Sequence, residues 1–354
     1  MSNAKSRLKE TPLNKYIVKP TQEQWEACCA AVQYRLTNLY PVTLTIIVAL
    51  SIIDKMTIIV NVTEKGKEKD MNTIMKKVVI VTGASSGIGK KTVLSFLREG
   101  YEVHAGARRL DAMRDLEQQG AHLHALDLTK GESIDAFVAK VVAQSRRIDV
   151  LVNNAGYGLY GSVEEVPLDV ARDQIEVNVF GLAHMIQATL PIMRKQGSGR
   201  IINITSIGGK VWTLLGAWYH ASKFAVEGFS DSLRNEVRPF GIDVVVIEPG
   251  ATKTEWPTIA AENVKKLSGN GPYRELAEAT AHLFMAQGAS AYASPHVIAD
   301  VIWRAASTRH PKARYAAPFS AKAILGLRWA LSDRLFDRVW GRVIGIPATV
   351  GSRQ

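Results

Sequence analysis

From Met75 onward, the hydrophobic pattern alternates between short apolar runs and longer amphipathic segments. The short runs are rich in β-branched residues and predict six strands, at Val78–Val81, Tyr101–Ala107, Leu123–Leu126, Val150–Asn153, Arg200–Thr205 and Ile242–Glu248. The segments between them carry apolar residues at helical spacing and predict helices from Ile88 and over Leu110–Gln119, Ser133–Gln144, about Leu168–Arg194 and Ala217–Arg238. Because each crossover contains a helix, the pattern predicts an α/β fold with a doubly wound parallel sheet covered on both faces.

The pattern changes after the sixth predicted strand. Residues Glu255–Pro295 contain no strand signal and predict a helical insertion, which in such folds lies near the carboxyl ends of the strands. A last short strand is predicted at Arg314–Ala317, followed by Leu325–Ile344, where tryptophan and phenylalanine stand among arginines. We therefore predict one domain over residues 75–318 and a basic, amphipathic, helical tail over residues 319–354.

The first 74 residues do not share this pattern, and we expect them to form a weakly structured extension. Met1-Ser2-Asn3-Ala4 resembles a remnant of an expression vector, and the apolar run Leu39–Ile53 is shorter than the roughly 20 residues of a membrane-spanning helix. Two interpretations stay open. The extension anchors or packs, or it is upstream sequence translated from a wrongly assigned start, with Met71 or Met75 as the native beginning. We favour the second, because the periodic pattern begins abruptly after Met75.

The net charge of +11 is located at the two ends of the chain. Residues 76–303 contain 24 basic and 24 acidic residues, whereas residues 304–354 contain ten basic and two acidic ones. A neutral central region argues against a nucleic-acid groove. For the basic tail three roles stay open: binding to a membrane surface, capping of a pocket, or capping of a dimer.

Cysteine and histidine usage limits other chemistry. The two cysteines, Cys28 and Cys29, are adjacent and do not staple a fold, so we expect a reducing, cytoplasmic location. The histidines show no metal-ligand spacing, and from the sequence no metal is expected.

The segment Thr82–Gly89, read as TGASSGIG, connects the first predicted strand to the first predicted helix. Glycines at positions 83, 87 and 89 permit a tight turn and a close approach of the backbone to a ligand. The unpaired N–H groups of a helix start attract phosphate. The segment therefore predicts a binding site for a dinucleotide pyrophosphate.

Further motifs follow in order at the predicted ends of strands and helices: Asp127-Leu128, Asn153-Asn154-Ala155-Gly156, Asn178, Ser206, Tyr219-x-x-x-Lys223, Pro249-Gly250 and Thr254. With the glycine segment, they resemble the short-chain dehydrogenases/reductases over about Met75–Ala317, and more loosely the branch with retinol and 17β-hydroxysteroid dehydrogenase-like enzymes. This resemblance implies a Rossmann fold and a hydride-transferring enzyme. It implies cofactor contacts by Gly83, Ser85, Ser86, Gly87, Ile88, Gly89, Asp127, Leu128, Asn154, Ala155, Gly156, Tyr219, Lys223, Pro249, Gly250 and Thr254.

The same resemblance implies that Ser206, Tyr219, Lys223 and Asn178 are catalytic. A spacing of four places Tyr219 and Lys223 on one helix face, where an ammonium group favours the phenolate and lowers its pKa. Tyr219 would then exchange a proton with the substrate oxygen while Ser206 hydrogen-bonds that oxygen. By resemblance, Lys223 also binds the ribose hydroxyls, and Asn178 holds a structural water that links Lys223 to solvent.

Cofactor preference follows from charge at the end of the second predicted strand, Gly106-Ala107-Arg108-Arg109. An acidic residue at this position selects the ribose 2′-hydroxyl of NAD, whereas arginine accommodates the 2′-phosphate of NADP. No acid is present here, so we predict that NADP(H) is preferred over NAD(H), with Arg108 as the main contact and Arg109 as its helper.

The expected substrate is a small hydrophobic ketone, aldehyde or secondary alcohol. Residues 156–159, residues 211–217 and the insertion after Thr254 are predicted to line its pocket, which five apolar side chains would make hydrophobic: Trp212, Leu214, Leu215, Trp218 and Trp256. The two long helices carry more apolar surface than a monomer needs, and the resemblance implies that they pair in a homodimer or homotetramer.

Three alternative functions differ from this one in features that the sequence can show. A non-catalytic dinucleotide sensor usually lacks the tyrosine and lysine that are present here, and a nucleotide-sugar epimerase usually has a GxxGxxG segment and a larger C-terminal domain. A membrane-anchored steroid- or retinoid-type dehydrogenase would be held to the bilayer by the first 60 residues. Fractionation of the protein with and without residues 1–70 distinguishes this last alternative.

Overall fold

A computed structural model describes residues 44–49, 57–62, 76–286 and 292–344. The chain divides into two units, Met1–Ile74 and Met75–Gln354. In the first unit, strands β1 (Leu44–Ala49) and β2 (Thr57–Val62) pair antiparallel, with Leu44 opposite Val62. The rest of the predicted extension lies outside the described residues.

The second unit contains a seven-stranded sheet in the order β5-β4-β3-β6-β7-β8-β9, and every neighbouring pair is parallel. Its strands are β3 (Val78–Thr82), β4 (Glu102–Ala107), β5 (His122–Ala125), β6 (Val150–Asn153), β7 (Gly199–Ile204), β8 (Ile242–Pro249) and β9 (Arg314–Ala317). Each predicted strand is present within a residue or two of its predicted bounds. The predicted doubly wound α/β fold is confirmed.

Helices cover both faces of this sheet. They are α1 (Gly87–Arg98), α2 (Arg114–Glu117), α3 (Gly131–Ser145), α4 (Leu168–Ile175), α5 (Leu182–Gln196), α6 (Ala217–Val237), α7 (Trp256–Ser268), α8 (Arg274–Ala286), α9 (Pro295–Ser307), α10 (Phe319–Ala330) and α11 (Asp333–Val343). On β3, Val79 and Val81 pack in one core with α1 and α9, while Val78 and Ile80 pack in the other with α3, α5 and α6. Burial of both faces explains why the strand reads as a continuous apolar run rather than an alternating one.

The order of the strands places the ligand crevice. From β3 the chain moves outward to β4 and β5, and then returns to the opposite side of β3 to form β6. In parallel sheets of this type, ligands bind at the carboxyl ends of the strands where the order reverses. The glycine segment follows β3 and Asn154 follows β6, so both lie at this point.

Two predicted helices differ from the structure. Residues predicted as one helix over 110–119 form a 3₁₀ turn, Asp111–Met113, and the single-turn helix α2. The long segment after Leu168 is interrupted by a π-helical turn at Glu176–Gly181, between α4 and α5. Within this turn the buried Asn178 exchanges hydrogen bonds with the backbone of Tyr157, a distant contact that hydrophobic periodicity does not encode.

The predicted insertion forms α7 and α8, and the tail forms α10 and α11. Phe336 and Trp340 of α11 pack with Val211 in a buried cluster. Two hydrogen bonds add to this contact: Trp340 Nε1 donates to the Trp212 carbonyl oxygen at 2.7 Å, and Trp212 Nε1 donates to Asp337 Oδ1 at 2.8 Å. Across the described residues, none of the helices combines the length and apolarity that crossing a membrane requires.

Candidate active site

A cavity of about 900 Å³ opens at the carboxyl ends of the strands. Of the predicted site residues, all except Gly89 and Asn178 line it: Gly83, Ser85, Ser86, Gly87, Ile88, Arg108, Arg109, Asp127, Leu128, Asn154, Ala155, Gly156, Ser206, Tyr219, Lys223, Pro249, Gly250 and Thr254. Residues that are up to 171 positions apart in the chain thus meet at one surface. One elongated ligand can therefore contact the glycine segment and the tyrosine–lysine pair together.

The glycine segment is fixed against the end of β6. Gly83 has φ +67°, and a Cβ there would lie 2.7 Å from the Cα of Ala155, so this position requires glycine. Thr82 Oγ1 accepts hydrogen bonds from the backbone N–H groups of Asn154 and Ala155, both at 3.1 Å. The backbone therefore forms a cradle that a side chain would fill, next to the start of α1. Such a cradle fits a dinucleotide pyrophosphate.

Positive charge in the part of the cavity that holds the glycine segment comes from Arg108 and Arg109, which follow β4 and are both exposed. Arg109 pairs with Glu255 at 3.3 Å, whereas Arg108 lies close enough to Asp127 to help lower the pKa of its carboxyl group. The larger cause of that lowered pKa is the hydrogen bond from the backbone N–H of Thr129. Asp127 is thus ionised and held by its own turn, and the guanidinium of Arg108 faces the cavity.

Ser206, Tyr219 and Lys223 meet at the inner part of the cavity. Ser206 follows β7 and caps a 3₁₀ turn, where its hydroxyl accepts a hydrogen bond from Gly208 N–H at 3.0 Å. Tyr219 and Lys223 are one turn apart on α6, and each is only 7% exposed. Lys223 Nζ donates to the Ile204 carbonyl oxygen at 3.0 Å, which anchors the lysine to the end of β7.

Burial dominates the protonation of this group. It raises the pKa of Tyr219 to about 12, with the Ser206 hydroxyl acting in the opposite direction, and it lowers the pKa of Lys223 to about 8, with Glu227 acting in the opposite direction. The sequence predicted that Lys223 lowers the pKa of Tyr219. In the structure the group that opposes the rise is Ser206, because the lysine ammonium is directed to a backbone carbonyl instead.

Asn178 lies behind the cavity rather than on its wall. Its Nδ2 donates to the Tyr157 carbonyl oxygen at 2.9 Å and to Ser222 Oγ at 3.0 Å, and its Oδ1 accepts from Tyr157 N–H at 3.1 Å. A Cβ on Gly156 would lie 3.0 Å from Asn178 Oδ1 and 3.6 Å from Lys223 Nζ. Asn178 therefore approaches the lysine across a glycine, and its side chain fixes the loop after β6.

The remaining wall of the cavity is mostly aromatic and aliphatic, and each of the three predicted segments contributes residues to it, although most of the individual side chains that were expected do not. Of the five expected apolar residues only Trp256 lines the cavity, joined by Tyr160, Val211, Phe284 and Trp340. The rings of Tyr160 and Phe284 lie 4.8 Å apart at an interplanar angle of 84°.

The other four expected residues do not line the cavity, because each packs against another part of the molecule. Trp212 contacts α11 and Trp218 packs against Leu159 and Val166. Leu215 packs in the aromatic cluster around Tyr160, while Leu214 lines a separate, smaller depression.

His220 is not among the residues that the sequence predicted, yet it lines the cavity. Its Nδ1 lies 2.8 Å from the Gly208 carbonyl oxygen, and its Nε2 accepts from Thr213 N–H at 2.8 Å. The ring therefore ties both ends of the loop that follows Ser206. The signal that could have found it is its place next to Tyr219 on a helix start, facing a glycine-rich loop.

An ionic network with two buried glutamates, Glu227 and Glu248, supports α6 behind the lysine. Arg314 Nε lies 3.0 Å from Glu227 Oε2 and 3.9 Å from Glu248 Oε1, and Lys210 Nζ lies 3.2 Å from Glu227 Oε2. Burial, with a smaller contribution from the charge of Glu227, raises the pKa of Glu248 to about 7. The network links α6, β8 and β9 and keeps a negative charge near Lys223.

Comparisons with known proteins agree with this geometry. Residues 77–264 match the family model described as short chain dehydrogenase. The chain is 32% identical to the NADPH-dependent 3-dehydrocapnine reductase of Ornithobacterium rhinotracheale over 275 residues, covering 74% of this chain and 95% of that protein.

Solved structures agree as well. A short-chain dehydrogenase from Streptomyces avermitilis superposes with a TM-score of 0.65 at 36% identity, covering 77% of this chain and 98% of that one. A metagenomic short-chain oxidoreductase in complex with NADP superposes with a TM-score of 0.55 at 28% identity, covering 68% of this chain and 96% of that one. The chain described here therefore belongs to the short-chain dehydrogenase family and is an NAD(P)-dependent oxidoreductase.

Proposed function

We propose that this protein is an NADP(H)-dependent oxidoreductase that interconverts a hydrophobic ketone or aldehyde and its alcohol, with Tyr219 as the proton donor and acceptor. The observation that carries this proposal is that Ser206, Tyr219 and Lys223 line the same cavity as the glycine segment. The nicotinamide, when bound, supplies or accepts the hydride. A purely dinucleotide-sensing protein would not need these three side chains at the inner wall.

The protonation of the site supports reduction with Tyr219 as the acid. A buried phenol with a pKa of about 12 is neutral at pH 7 and carries the proton that a carbonyl oxygen must receive. Ser206, at the end of β7, would hydrogen-bond the same oxygen and orient it. Lys223, with a pKa of about 8, is mostly an ammonium at pH 7 and, held by the Ile204 carbonyl oxygen, places a positive charge one helical turn from the phenolate that remains after transfer.

The preference for NADP(H) rests on Arg108. Its exposed guanidinium follows β4 at the dinucleotide end of the cavity, where the segment Gly106–Arg109 contains no carboxylate. A guanidinium binds a phosphate by paired, charge-assisted hydrogen bonds. Arg109 is the weaker candidate, because it pairs with Glu255. A solved relative holds NADP, and the O. rhinotracheale relative is named NADPH-dependent.

The substrate end supports an apolar ligand. Tyr160, Val211, Trp256 and Phe284 provide apolar surface at this end, together with Trp340 of the tail. Apolar walls with few polar groups select hydrophobic substrates. We therefore assign to the tail the role of capping the substrate pocket, one of the three roles that its composition left open.

We also propose a homodimer or homotetramer that pairs the helices α4 to α6. Exposed apolar side chains support this assembly: Leu168 is 57% exposed, Phe180 58% and Phe224 49%. Large apolar side chains grouped on a surface mark an interaction site. Light scattering of the wild type and of Phe224→Glu tests it. A monomeric wild type would contradict it.

The catalytic assignment is tested with Tyr219→Phe and the matched control Tyr273→Phe, whose phenol is exposed and hydrogen-bonds Glu164. A panel of ketones, aldehydes, steroids and retinoids is followed by NADPH absorbance. We expect kcat to fall by at least about 100-fold in Tyr219→Phe, with NADPH affinity kept, and to stay within about twofold in the control. Full turnover in Tyr219→Phe would refute the mechanism.

The cofactor assignment is tested with Arg108→Ala, using the exposed Arg98→Ala as control. Loss of a charged hydrogen bond costs about 1.5–3 kcal/mol, so we expect KM for NADPH to rise about 10- to 100-fold while KM for NADH is unchanged. Equal use of NADH and NADPH by the wild type, with no effect of the substitution, would contradict the preference.

A further inference from the structure

A second group of polar side chains lies on the same sheet, away from the cavity. Glu102 and His104 are two residues apart on β4, and His122 on β5 is the register partner of His104. Alternate residues on a strand share a face, and directly opposed residues on neighbouring strands are adjacent. The three side chains therefore project together on the face covered by α3.

The distances between their donor atoms are those of ligands on one small cation. Glu102 Oε1 lies 3.3 Å from His104 Nε2 and 3.6 Å from His122 Nε2, and all three ligand atoms lie within 4.8 Å of one another. A tetrahedral zinc ion with bonds of about 2.0–2.1 Å separates its ligand atoms by about 3.3 Å. Two of the three separations are close to this value.

We propose that Glu102, His104 and His122 bind one Zn²⁺ ion, which links β4 to the edge strand β5. Two imidazoles and one carboxylate are a ligand set that zinc takes in proteins, with water at the fourth position. His122 is 40% exposed at its side chain and Glu102 is 24% exposed. Through these two side chains the site is open to solvent. Rotation of the exposed His122 imidazole would shorten the third separation, which is between the ligand nitrogens of His104 and His122.

The surroundings of His104 are those of a metal ligand. Its ring is fully buried, and its Nδ1 lies 3.0 Å from Nε2 of His124. With Nε2 on the metal, Nδ1 carries the ring proton and donates a hydrogen bond to His124 Nε2, which fixes the orientation of the imidazole. Ser145 Oγ of α3 lies 2.8 Å from His104 Nε2 and donates a hydrogen bond to Glu102 Oε1, so an ion bound between these two ligand atoms would take the place of this hydroxyl bridge.

This proposal departs from the sequence-based expectation that no metal binds. Linear spacing gives no signal, because Glu102 and His104 are separated from His122 by a strand, a turn and α2. None of the three residues lines the cavity. The ion would take no part in hydride transfer, and its effect would be to stabilise the two strands whose ends carry Arg108 and Asp127.

The test is a zinc titration of the full chain by calorimetry after removal of metals with EDTA. Thiolates are zinc ligands, so all proteins carry Cys28→Ser and Cys29→Ser. In this background we compare the parent with His122→Ala, Glu102→Gln and, as matched control, the exposed His310→Ala. Far-UV circular dichroism in EDTA verifies that each variant is folded, and Glu102→Gln is the conservative variant should His122→Ala unfold.

We expect the parent and His310→Ala to bind one zinc per chain with equal affinity, and both ligand variants to bind at least tenfold more weakly. Zinc should raise the thermal midpoint of the parent and of His310→Ala, and should leave that of His122→Ala unchanged. Bound Co²⁺ should give visible absorption in the parent and in His310→Ala, and should give none in His122→Ala. Absence of saturable zinc binding, or equal affinity in all four proteins, would overturn the proposal.

Discussion

The buried carboxyl group of Glu248 should make the free energy of unfolding depend on pH. This side chain at the end of β8 is 4% exposed, and Arg314, which lies 3.9 Å away, is shared with Glu227 and Asp231. Burial, followed by repulsion from Glu227, raises its pKa from an ordinary value of 4.5 to about 7. The folded protein therefore holds a proton that the unfolded chain releases between these two pH values.

The sign follows from proton linkage. Between pH 4.5 and 7 the folded state binds more protons than the unfolded state, so stability falls as pH rises through this window. A shift of one pKa unit corresponds to about 1.36 kcal/mol. Replacement by Gln, which stays neutral, should raise the free energy of unfolding by about 3 kcal/mol at pH 8 and by less than about 1 kcal/mol at pH 5.

The assay is urea unfolding of wild type and Glu248→Gln, followed by circular dichroism at pH 5 and pH 8. Glu236→Gln, on the exposed face of α6, is the matched control and should change stability by less than about 0.5 kcal/mol at both pH values. A gain in Glu248→Gln that is equal at the two pH values, or a loss at pH 8, would refute the reasoning.

Two further predictions concern the dinucleotide cradle and the tail. Gly83→Ala, whose new methyl meets Ala155 at 2.7 Å, should lose NADPH binding in a fluorescence titration and more than about 2 kcal/mol of stability, whereas Gly100→Ala, with φ +79° and open space around it, should cost only about 1 kcal/mol. Equal behaviour of the two variants would contradict the cradle. Phe336→Ala removes a buried ring and should speed tryptic cleavage of α11 roughly 100-fold, whereas Phe319→Ala, 81% exposed, should leave the rate within about twofold. An unchanged rate in Phe336→Ala would show that the tail does not depend on this contact.

The central fold could be predicted because each of its strands is identified by a short run of neighbouring residues. Val78–Val81 is apolar on both faces and is followed by a glycine turn, so the hydrophobic pattern and the turn residues are enough to predict this strand. The π-helical turn around Asn178 could not be predicted in this way, because it depends on hydrogen bonds to Tyr157, 21 residues away. Helical periodicity reports which side of a segment is apolar but not where one extra residue enters a turn.

The candidate site also has parts that could be predicted from the sequence and parts that could not. The side chains at strand ends, such as Ser206 and Asn154, were predicted because parallel strands bring their carboxyl ends together whatever the loops do. The segments that line the substrate pocket were predicted, but not which of their side chains face it. Trp212 lies in one of these segments and instead donates a hydrogen bond to Asp337 of α11. The contact between His104 and His122 could not be predicted from the sequence, because it results from the pairing of β4 with β5 and not from the spacing of the two residues.

The contribution of Trp340 to the cavity has a consequence for the protein during its synthesis. Residues that line the dinucleotide end of the cavity occur as far along the chain as Thr254, but α9 packs with α1 and β3 beneath them, and the apolar end also needs side chains of α10 and α11. Because a domain generally folds as a unit, a chain that still lacks α9 to α11 should complete neither end of the cavity. The cofactor site and the substrate site should therefore become available together, after the last helices have been made.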